Sequence, residues 1–251
     1  MNRPPIHVLA FGDSGSGKST FAATFPKPAL ILMFDMYGKE WPYLRRGEAR
    51  QAEPTKDGTL VTEVYSKKDP GKLLIRIEHY LDESMRDPKA YSRFQTRMSL
   101  NPPKPEEWAT VVLDSTTFAE LAARKWHQYS LNSDSKNPMQ WYAGSTDLLE
   151  ETAMQLATLR TNVVLVTHTE IEKDEIMGSI LRRPNLPGKR LHRLVPGAFM
   201  EMYRVWVNPQ GKRALQTQAD ALWPAGSQIQ APNGCEPEYQ ALWANFDKES
   251  A

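Results

Sequence analysis

The chain has 251 residues, of which 40% are hydrophobic, and this is enough to bury the core of one α/β domain. Its 31 Lys and Arg residues balance 30 Asp and Glu residues to a net charge of +1, so any surface that binds a polyanion must be a local patch. A single cysteine, Cys235, the lack of a secretion-signal pattern and the lack of a bilayer-spanning apolar run predict a cytoplasmic protein without disulfides or membrane segments.

The first predicted element is a buried strand over residues 6–11, followed by the stretch GDSGSGKS at residues 12–19 and a helix over residues 19–24. This stretch has the pattern of a P-loop, in which glycines let backbone N–H groups converge on phosphate oxygens. Lys18 would reach the β- and γ-phosphates, Ser19 would bind Mg²⁺, and the helix dipole would favour the negative charge. We predict that ATP is bound by Gly12, Asp13, Ser14, Gly15, Ser16, Gly17, Lys18, Ser19 and Thr20.

The sequence continues with further apolar runs that alternate with helical patterns. The runs are rich in Val, Ile and Leu without strict alternation, which is typical of parallel strands buried on both faces. They cover residues 29–34, 110–113 and 162–166. The helical patterns cover residues 72–83, 117–129 and 146–159. This alternation predicts an α/β fold with a mostly parallel, doubly wound sheet and helices on both of its faces.

The segments between these elements are less regular. Residues 47–58 and 87–107 are polar or charged and are interpreted as insertions, and residues 132–138 as a Ser/Asn/Asp-rich loop. A long polar segment, without a predicted helix or strand, runs from residue 168 to residue 193.

The last part of the chain predicts two strands, over residues 202–207 and 213–217, which flank a turn. We place the nucleotide-binding domain at residues 1–220 and a C-terminal acidic β/α extension at residues 221–251. Within that extension, residues 236–249 have the pattern of a short amphipathic helix, which either packs on the core or is offered to a partner.

A carboxylate follows one of the predicted strands. Asp114 ends the apolar run TVVLD, the arrangement that brings an acid on a neighbouring strand to the metal of a P-loop site. We therefore predict that Asp114 and Ser19 share Mg²⁺.

The order of these elements, with VVLDS at residues 111–115 and VVLVTH at residues 163–168, resembles the core of RecA-type ATPases. The phrases FPKP at residues 25–28 and VTHTE at residues 166–170 are similar to the phage-encoded RecA-like ATPases of the Sak group, which are single-strand annealing proteins. The resemblance implies a RecA-like core and an ATP-dependent protein that binds single-stranded DNA and promotes annealing or strand pairing in recombination. It also implies a homo-oligomer, with a single-strand-binding protein as a further partner.

The resemblance also implies roles for residues near the phosphates. His168 would end a strand between the P-loop strand and the Asp114 strand and sense the γ-phosphate; the alternative is a histidine that only caps a strand. The glutamate that activates water in RecA proteins is replaced by Tyr37, a poor base at neutral pH. Asp35 or Glu40 could substitute as the base, or ATP could serve mainly as a conformational ligand.

The segment that follows His168 carries a cluster of cations at the place of the second DNA-binding loop of RecA proteins. Such a loop suits contact with a phosphate backbone; a contact with a neighbouring subunit's nucleotide, or a merely solvated surface, is the alternative. The predicted DNA-binding residues are Arg182, Arg183, Lys189, Arg190 and Arg193. Trp141 and Tyr142 lie where RecA proteins have their first DNA-binding loop, but they could equally open the next helix as core aromatic residues.

Two other functions fit the P-loop. A small-molecule or nucleotide kinase would use Arg182, Arg183 and Arg190 as a lid, although the chain has no recognisable acceptor-site pattern. A non-hydrolysing adaptor, which uses ATP only to select a conformation, would fit the tyrosine at residue 37.

Overall fold

The computed structural model describes residues 3–35, 38–81, 87–173 and 180–249. Within these residues the strands are His7–Gly12 (β1), Ala29–Met33 (β2), Glu48–Gln51 (β3), Leu60–Tyr65 (β4), Leu73–His79 (β5), Thr110–Asp114 (β6), Asn162–Lys173 (β7), Ile180–Pro184 (β8), Glu201–Val207 (β9), Arg213–Gln216 (β10) and Gly226–Ser227 (β11). The helices are Lys18–Ala22 (α1), Trp41–Leu44 (α2), Ala90–Leu100 (α3), Thr116–Trp126 (α4), Pro138–Ala157 (α5), Gly188–Ala198 (α6), Tyr239–Leu242 (α7) and Ala244–Glu249 (α8), with a π-helical turn at His127–Leu131.

The strands form one large sheet in the order β10-β9-β1-β7-β6-β2-β5-β4-β3. The six strands from β9 to β5 are parallel, whereas β10 at one edge and the β4-β3 hairpin at the other are antiparallel. Strand β7 lies between β1 and β6, which is the order predicted for it. The mixed α/β architecture with a mostly parallel sheet is confirmed, and it fits a P-loop NTPase fold.

Each face of the sheet has its own apolar core. On one face, side chains of α3, α4, α5 and α6 pack against alternate residues of the central strands. On the other face, the core contains Phe21 and Phe25 near α1 and also Tyr239 and Trp243 from the C-terminal part of the chain. The residues of β2 and β6 are buried throughout, because both faces of these strands are covered. This burial fixes the strand ends that carry the polar residues described below.

The predicted helix over residues 72–83 is wrong, because residues 73–79 form strand β5; residues 82 and 83 lie outside the described residues. Ile75 and Ile77 pack beside Ile31 in one core, while Glu78 faces the opposite side towards Arg97. The alternation of the two isoleucines fits a strand that pairs with β2, and this tertiary pairing overrides the helical spacing of the leucines.

The polar segment over residues 168–193 is also more regular than predicted. Strand β7 extends to Lys173, β8 pairs with it as an antiparallel hairpin, and α6 follows. Helix α6 forms because Leu191 and Val195 lie one turn apart and are buried. The predicted insertion over residues 87–107 likewise contains α3, and residues 47–58 contain β3.

The C-terminal residues contact the rest of the domain. Tyr239 lies 4.9 Å from Phe25 between ring centroids, and Trp243 is fully buried. The amphipathic pattern over residues 236–249 forms two short helices, α7 and α8, and not one. The domain boundary at residue 220 remains a prediction. In the described part of the chain, no helix is both long enough and apolar enough to cross a membrane.

Candidate nucleotide-binding site

The GDSGSGKS stretch forms a tight connection between β1 and α1, and close packing leaves little room for a side chain at Gly12 and Gly17. A Cβ on Gly12 would lie 2.2 Å from the carbonyl oxygen of Val205, and one on Gly17 would lie 2.6 Å from Cδ of Arg213. Gly17 also has a φ of 105°, which favours glycine. The loop is therefore a backbone cradle of the kind that receives phosphate groups.

A cavity of about 460 Å³ opens above this loop, a volume within the range of small-ligand sites. Six of the predicted nucleotide-binding residues line it: Ser14, Gly15, Gly17, Lys18, Ser19 and Thr20. Gly12, Asp13 and Ser16 shape the loop beneath, and the buried hydroxyl of Ser16 has no hydrogen-bond partner among the described residues. A ligand with phosphate oxygens fits this set of backbone and side-chain donors.

Lys18 holds its ammonium group at the edge of the loop. Its Nζ donates hydrogen bonds to the carbonyl oxygens of Gly12 and Asp13, both at 2.9 Å. Burial lowers the pKa of Lys18, and the carboxylates of Asp114, Asp13 and Asp35 oppose this effect. The ammonium is thus positioned beside the cavity by acceptors that phosphate oxygens could replace.

Asp114 lies at the end of β6, next to the P-loop helix, and is 1% exposed. Its carboxylate accepts a hydrogen bond from the hydroxyl of Tyr43 at 2.7 Å, and the Ser19 hydroxyl lies near enough to influence its pKa. Burial raises the pKa of Asp114, and the hydroxyl groups of Tyr43 and Ser19 oppose the rise. Contact between Ser19 and Asp114 brings together the two oxygen ligands predicted for Mg²⁺, so the donor set fits the ion.

The structure separates the two carboxylates considered as water-activating bases. Asp35 lines the cavity, and its backbone N–H donates to the carbonyl oxygen of Asp114 at 3.2 Å. Glu40 is buried away from the cavity wall, close enough to His79 to oppose the lowering of that histidine's pKa by burial. Tyr37 lies outside the described residues. Of these two carboxylates, Asp35 is therefore the one that lines the cavity.

His168 also lines the cavity, opposite Gly12 in the β1-β7 register. Its Nδ1 shares a hydrogen bond of 3.2 Å with the hydroxyl of Thr117, and Phe118 packs edge-on against its ring. Burial and the nearby Lys18 ammonium lower the pKa of His168, which favours a neutral imidazole. A neutral, anchored imidazole at this place can form a hydrogen bond to a terminal phosphate.

Sequence reasoning missed two polar residues of the site. Tyr43 donates to Asp114 from helix α2, and Arg213 on β10 reaches over the P-loop to line the cavity. Neither residue belongs to a local motif, because each reaches the site through the tertiary fold. The sequence places Arg213 only at the start of a predicted strand, which gives no indication that it contacts the P-loop.

The predicted DNA-binding residues lie outside the cavity, on β8 and α6 and not on a flexible loop. Arg183 forms ion pairs with Glu170 and Glu172, and Arg190 with Asp147 and Glu150. The other three have no ion pair among the described residues: Arg182, whose guanidinium packs over the Trp223 ring, and the exposed Lys189 and Arg193.

Trp141 and Tyr142 lie near the start of α5, as the alternative of a helix opening predicts. They are not core residues, however. Trp141 donates from Nε1 to the carbonyl oxygen of Asn132, and Tyr142 is 36% exposed. The Tyr142 hydroxyl accepts a hydrogen bond from the backbone N–H of Gly188 at 3.1 Å, which ties α5 to the start of α6.

A family model described as an AAA domain matches residues 4–229, which is most of the chain. The chain belongs to this AAA-domain family. A search of curated proteins returned no match. Membership of the AAA-domain family, together with the P-loop, supports a nucleotide-binding P-loop ATPase that uses ATP and Mg²⁺.

The hydrogen bond from Tyr43 to Asp114 predicts a selective effect on the metal. In Tyr43→Phe the carboxylate loses an orienting donor, so we expect the affinity for ATP with Mg²⁺ to fall about tenfold. The affinity for ATP in EDTA, which removes Mg²⁺, should not change when it is measured by calorimetry. Tyr91→Phe is the matched control, because Tyr91 is also buried with a hydrogen-bonded hydroxyl but lies away from the cavity. An equal loss with and without Mg²⁺ would contradict the assigned role.

Proposed function

We propose that the protein is a RecA-like ATPase that binds single-stranded DNA and promotes annealing or strand pairing, as do the phage proteins of the Sak group. The observation that carries the proposal is a hydrogen-bonded connection between His168 at the nucleotide cavity and the strand that bears Arg182. Such a connection allows a bound nucleotide to change the affinity of a distant surface for DNA.

The connection is short. The carbonyl oxygen of His168 accepts a hydrogen bond of 2.8 Å from the backbone N–H of Asn185, the first residue after β8. Thr167 donates from its hydroxyl to the carbonyl oxygen of Asn185 at 2.7 Å. Any displacement of the His168 ring by a γ-phosphate would act on a strand end that is held directly against the basic segment.

The cations available to DNA are fewer than the sequence suggests. Arg183 and Arg190 are held by acids, so a phosphate backbone would have to compete with those ion pairs. Lys189 and Arg193 lie on the exposed face of α6, and we assign the main phosphate contacts to them, with Arg182 as a third.

Within the nucleotide site, Mg²⁺ held by Ser19 and Asp114 would neutralise charge on the phosphate oxygens. Lys18 binds the phosphates, Arg213 supplies a second positive charge, and His168 senses the terminal group. Asp35 orients the attacking water and accepts its proton. Hydrolysis then releases the contact at His168 and lowers the affinity for DNA.

Assembly into a homo-oligomer is part of the proposal. Trp41 lies at the rim of the nucleotide cavity and is 60% exposed, which is unusual for a large apolar side chain. A neighbouring copy of the chain that covered Trp41 would bury this ring and enclose the nucleotide.

The binding of nucleotide and the binding of single-stranded DNA should be coupled. The affinity of the protein for a labelled single-stranded oligonucleotide, measured by fluorescence anisotropy, should be higher with ATP than with ADP or without nucleotide. In Lys18→Ala the nucleotide no longer binds, so ATP should have no effect on DNA affinity. Equal affinity of the parent protein under all three conditions would refute the coupling.

The cations of α6 should contribute to the salt dependence of DNA binding. In the double variant Lys189→Ala, Arg193→Ala, the salt dependence of binding should weaken, with the slope of log K against log salt falling by about 1.4 for two lost contacts. The charge-matched control is Lys67→Ala, Lys68→Ala, at an exposed turn on a different part of the surface. If both double variants lose the same slope, α6 makes no specific contact.

The turnover of carboxylate variants separates an ATPase from a non-hydrolysing adaptor. Asp35→Asn should lower the turnover number about 10²-fold or more while ATP affinity is retained, because the base is lost and the cradle is not. Glu40→Gln is the matched carboxylate-to-amide control and should keep turnover. No phosphate release by the parent protein with saturating DNA would support the adaptor, and a loss confined to Glu40→Gln would move the base to that residue.

A further inference from the structure

A polar cavity of about 420 Å³ lies between α4, the start of α5, the end of β8 and the start of α6, and its volume is within the range of small-ligand sites. Among the described residues, none lines both this polar cavity and the nucleotide cavity. One hydrogen bond nevertheless joins the two cavities. Thr117 lines the polar cavity, and its hydroxyl lies 3.2 Å from Nδ1 of His168, which lines the nucleotide cavity.

The charged side chains in the wall of the polar cavity balance one another. Glu170 lies 3.5 Å from Nη2 of Arg183 and 3.6 Å from Nε2 of His192, and burial lowers the pKa of that histidine. The remaining charges are one acid, Glu120, and one exposed cation, Lys189. An anion would be repelled by the two glutamates and a cation by Arg183 and Lys189, so the wall favours a neutral ligand with hydrogen-bonding groups.

Two polar side chains of the wall are accessible and have hydrogen-bonding capacity left. The Glu120 side chain is 13% exposed, and its Oε1 accepts from the Ser145 hydroxyl at 3.1 Å and lies 3.8 Å from Nε of Arg124. A carboxylate has about four acceptor positions, so further donors can bind to it. Asn185 is partly exposed, and its side-chain amide forms no hydrogen bond within the part of the chain that the structure describes.

We infer that the polar cavity binds a nucleobase that has an amino group next to a ring nitrogen acceptor, as cytosine and adenine do. The inference rests on the proposed binding of single-stranded DNA, which supplies the base. The Asn185 amide accepts from the amino group and donates to the ring nitrogen, while Glu120 accepts the other amino hydrogen. Tyr142 is 36% exposed and is held through its hydroxyl by the backbone N–H of Gly188, and the base stacks on its ring.

The rim of the cavity supplies a contact for the rest of the strand. Lys189 lines the cavity, is exposed, and is one of the cations assigned above to phosphate binding. A phosphate held by Lys189 leaves an adjoining base beside the cavity. The base then contacts the residues that lead to the nucleotide, because the backbone of Asn185 and the hydroxyl of Thr117 both bond to His168.

The test compares a labelled strand of cytosines with a thymine strand of equal length, by fluorescence anisotropy with ATP at neutral pH. Thymine presents a carbonyl oxygen where cytosine has its amino group. The parent protein should therefore bind the cytosine strand about threefold to tenfold more tightly. Glu120→Gln should abolish this preference, because an amide can donate to thymine. Asn185→Ala should lower it, since the backbone hydrogen bonds of this residue remain.

Glu63→Gln is the matched control, because Glu63 is also a partly buried glutamate with an arginine partner but lies on β4, away from the polar cavity. It should keep the preference for cytosine. Binding of both strands with equal affinity by the parent would overturn the inference and leave the proposed DNA binding intact. So would a preference that is unchanged in both Glu120→Gln and Asn185→Ala, or one that Glu63→Gln also abolishes.

Free nucleosides distinguish a failure of the proposed function from a failure of the base site. If neither strand binds, the proposed function fails, and deoxycytidine and thymidine are then compared by saturation-transfer NMR. Saturable binding of deoxycytidine that is lost in Glu120→Gln would support the base site and assign it to a free nucleoside. Lack of such binding would overturn the inference as well.

Discussion

The site depends on the parallel pairing of β1, β7 and β6. In this register Gly12 is opposite His168, and Asp114 is opposite Val166, so three residues far apart in sequence meet at one edge of the sheet. Successive side chains of a strand point to opposite faces, and a slip of one residue in β6 would turn Asp114 away from Ser19. Burial of β6 on both faces opposes that slip, because each side chain would move into the core of the opposite face, which is packed around other side chains.

Burial has an electrostatic cost at the same place. Asp114 is nearly inaccessible, and its pKa is raised by desolvation even though Lys18 lies nearby. The hydroxyl of Tyr43 compensates in part, and burial and the Asp114 carboxylate hold the pKa of Tyr43 well above its usual range, so the phenol remains a donor. A phenol that keeps its proton therefore holds one oxygen of the Asp114 carboxylate in place through its hydrogen bond.

The sequence predicts the features that are local and misses those that are made by tertiary contacts. The P-loop is local because the glycines and Lys18 act through adjacent backbone groups, and the strands of residues 29–34 and 110–113 are continuous apolar runs. The sequence of β5 predicts a helix because its apolar spacing fits both periods, and only pairing with β2 decides between them. Arg213 follows the P-loop by about three quarters of the length of the chain, so no local pattern could assign it to the cavity.

The ion pairs of the basic segment bear on how a signal could leave the nucleotide site. Glu170 lies on β7, two residues after His168, and it pairs with Arg183 on β8 and lies 3.6 Å from Nε2 of His192 on α6. One acid on β7 therefore contacts both elements that carry the cations. In the proposed function, a small shift of β7 would change the partners of Arg183 and so the charge offered to DNA. Coupling of this kind requires that the nucleotide bind the protein more tightly in one arrangement of these ion pairs than in the other. A ligand that binds both arrangements with equal affinity does not change their populations.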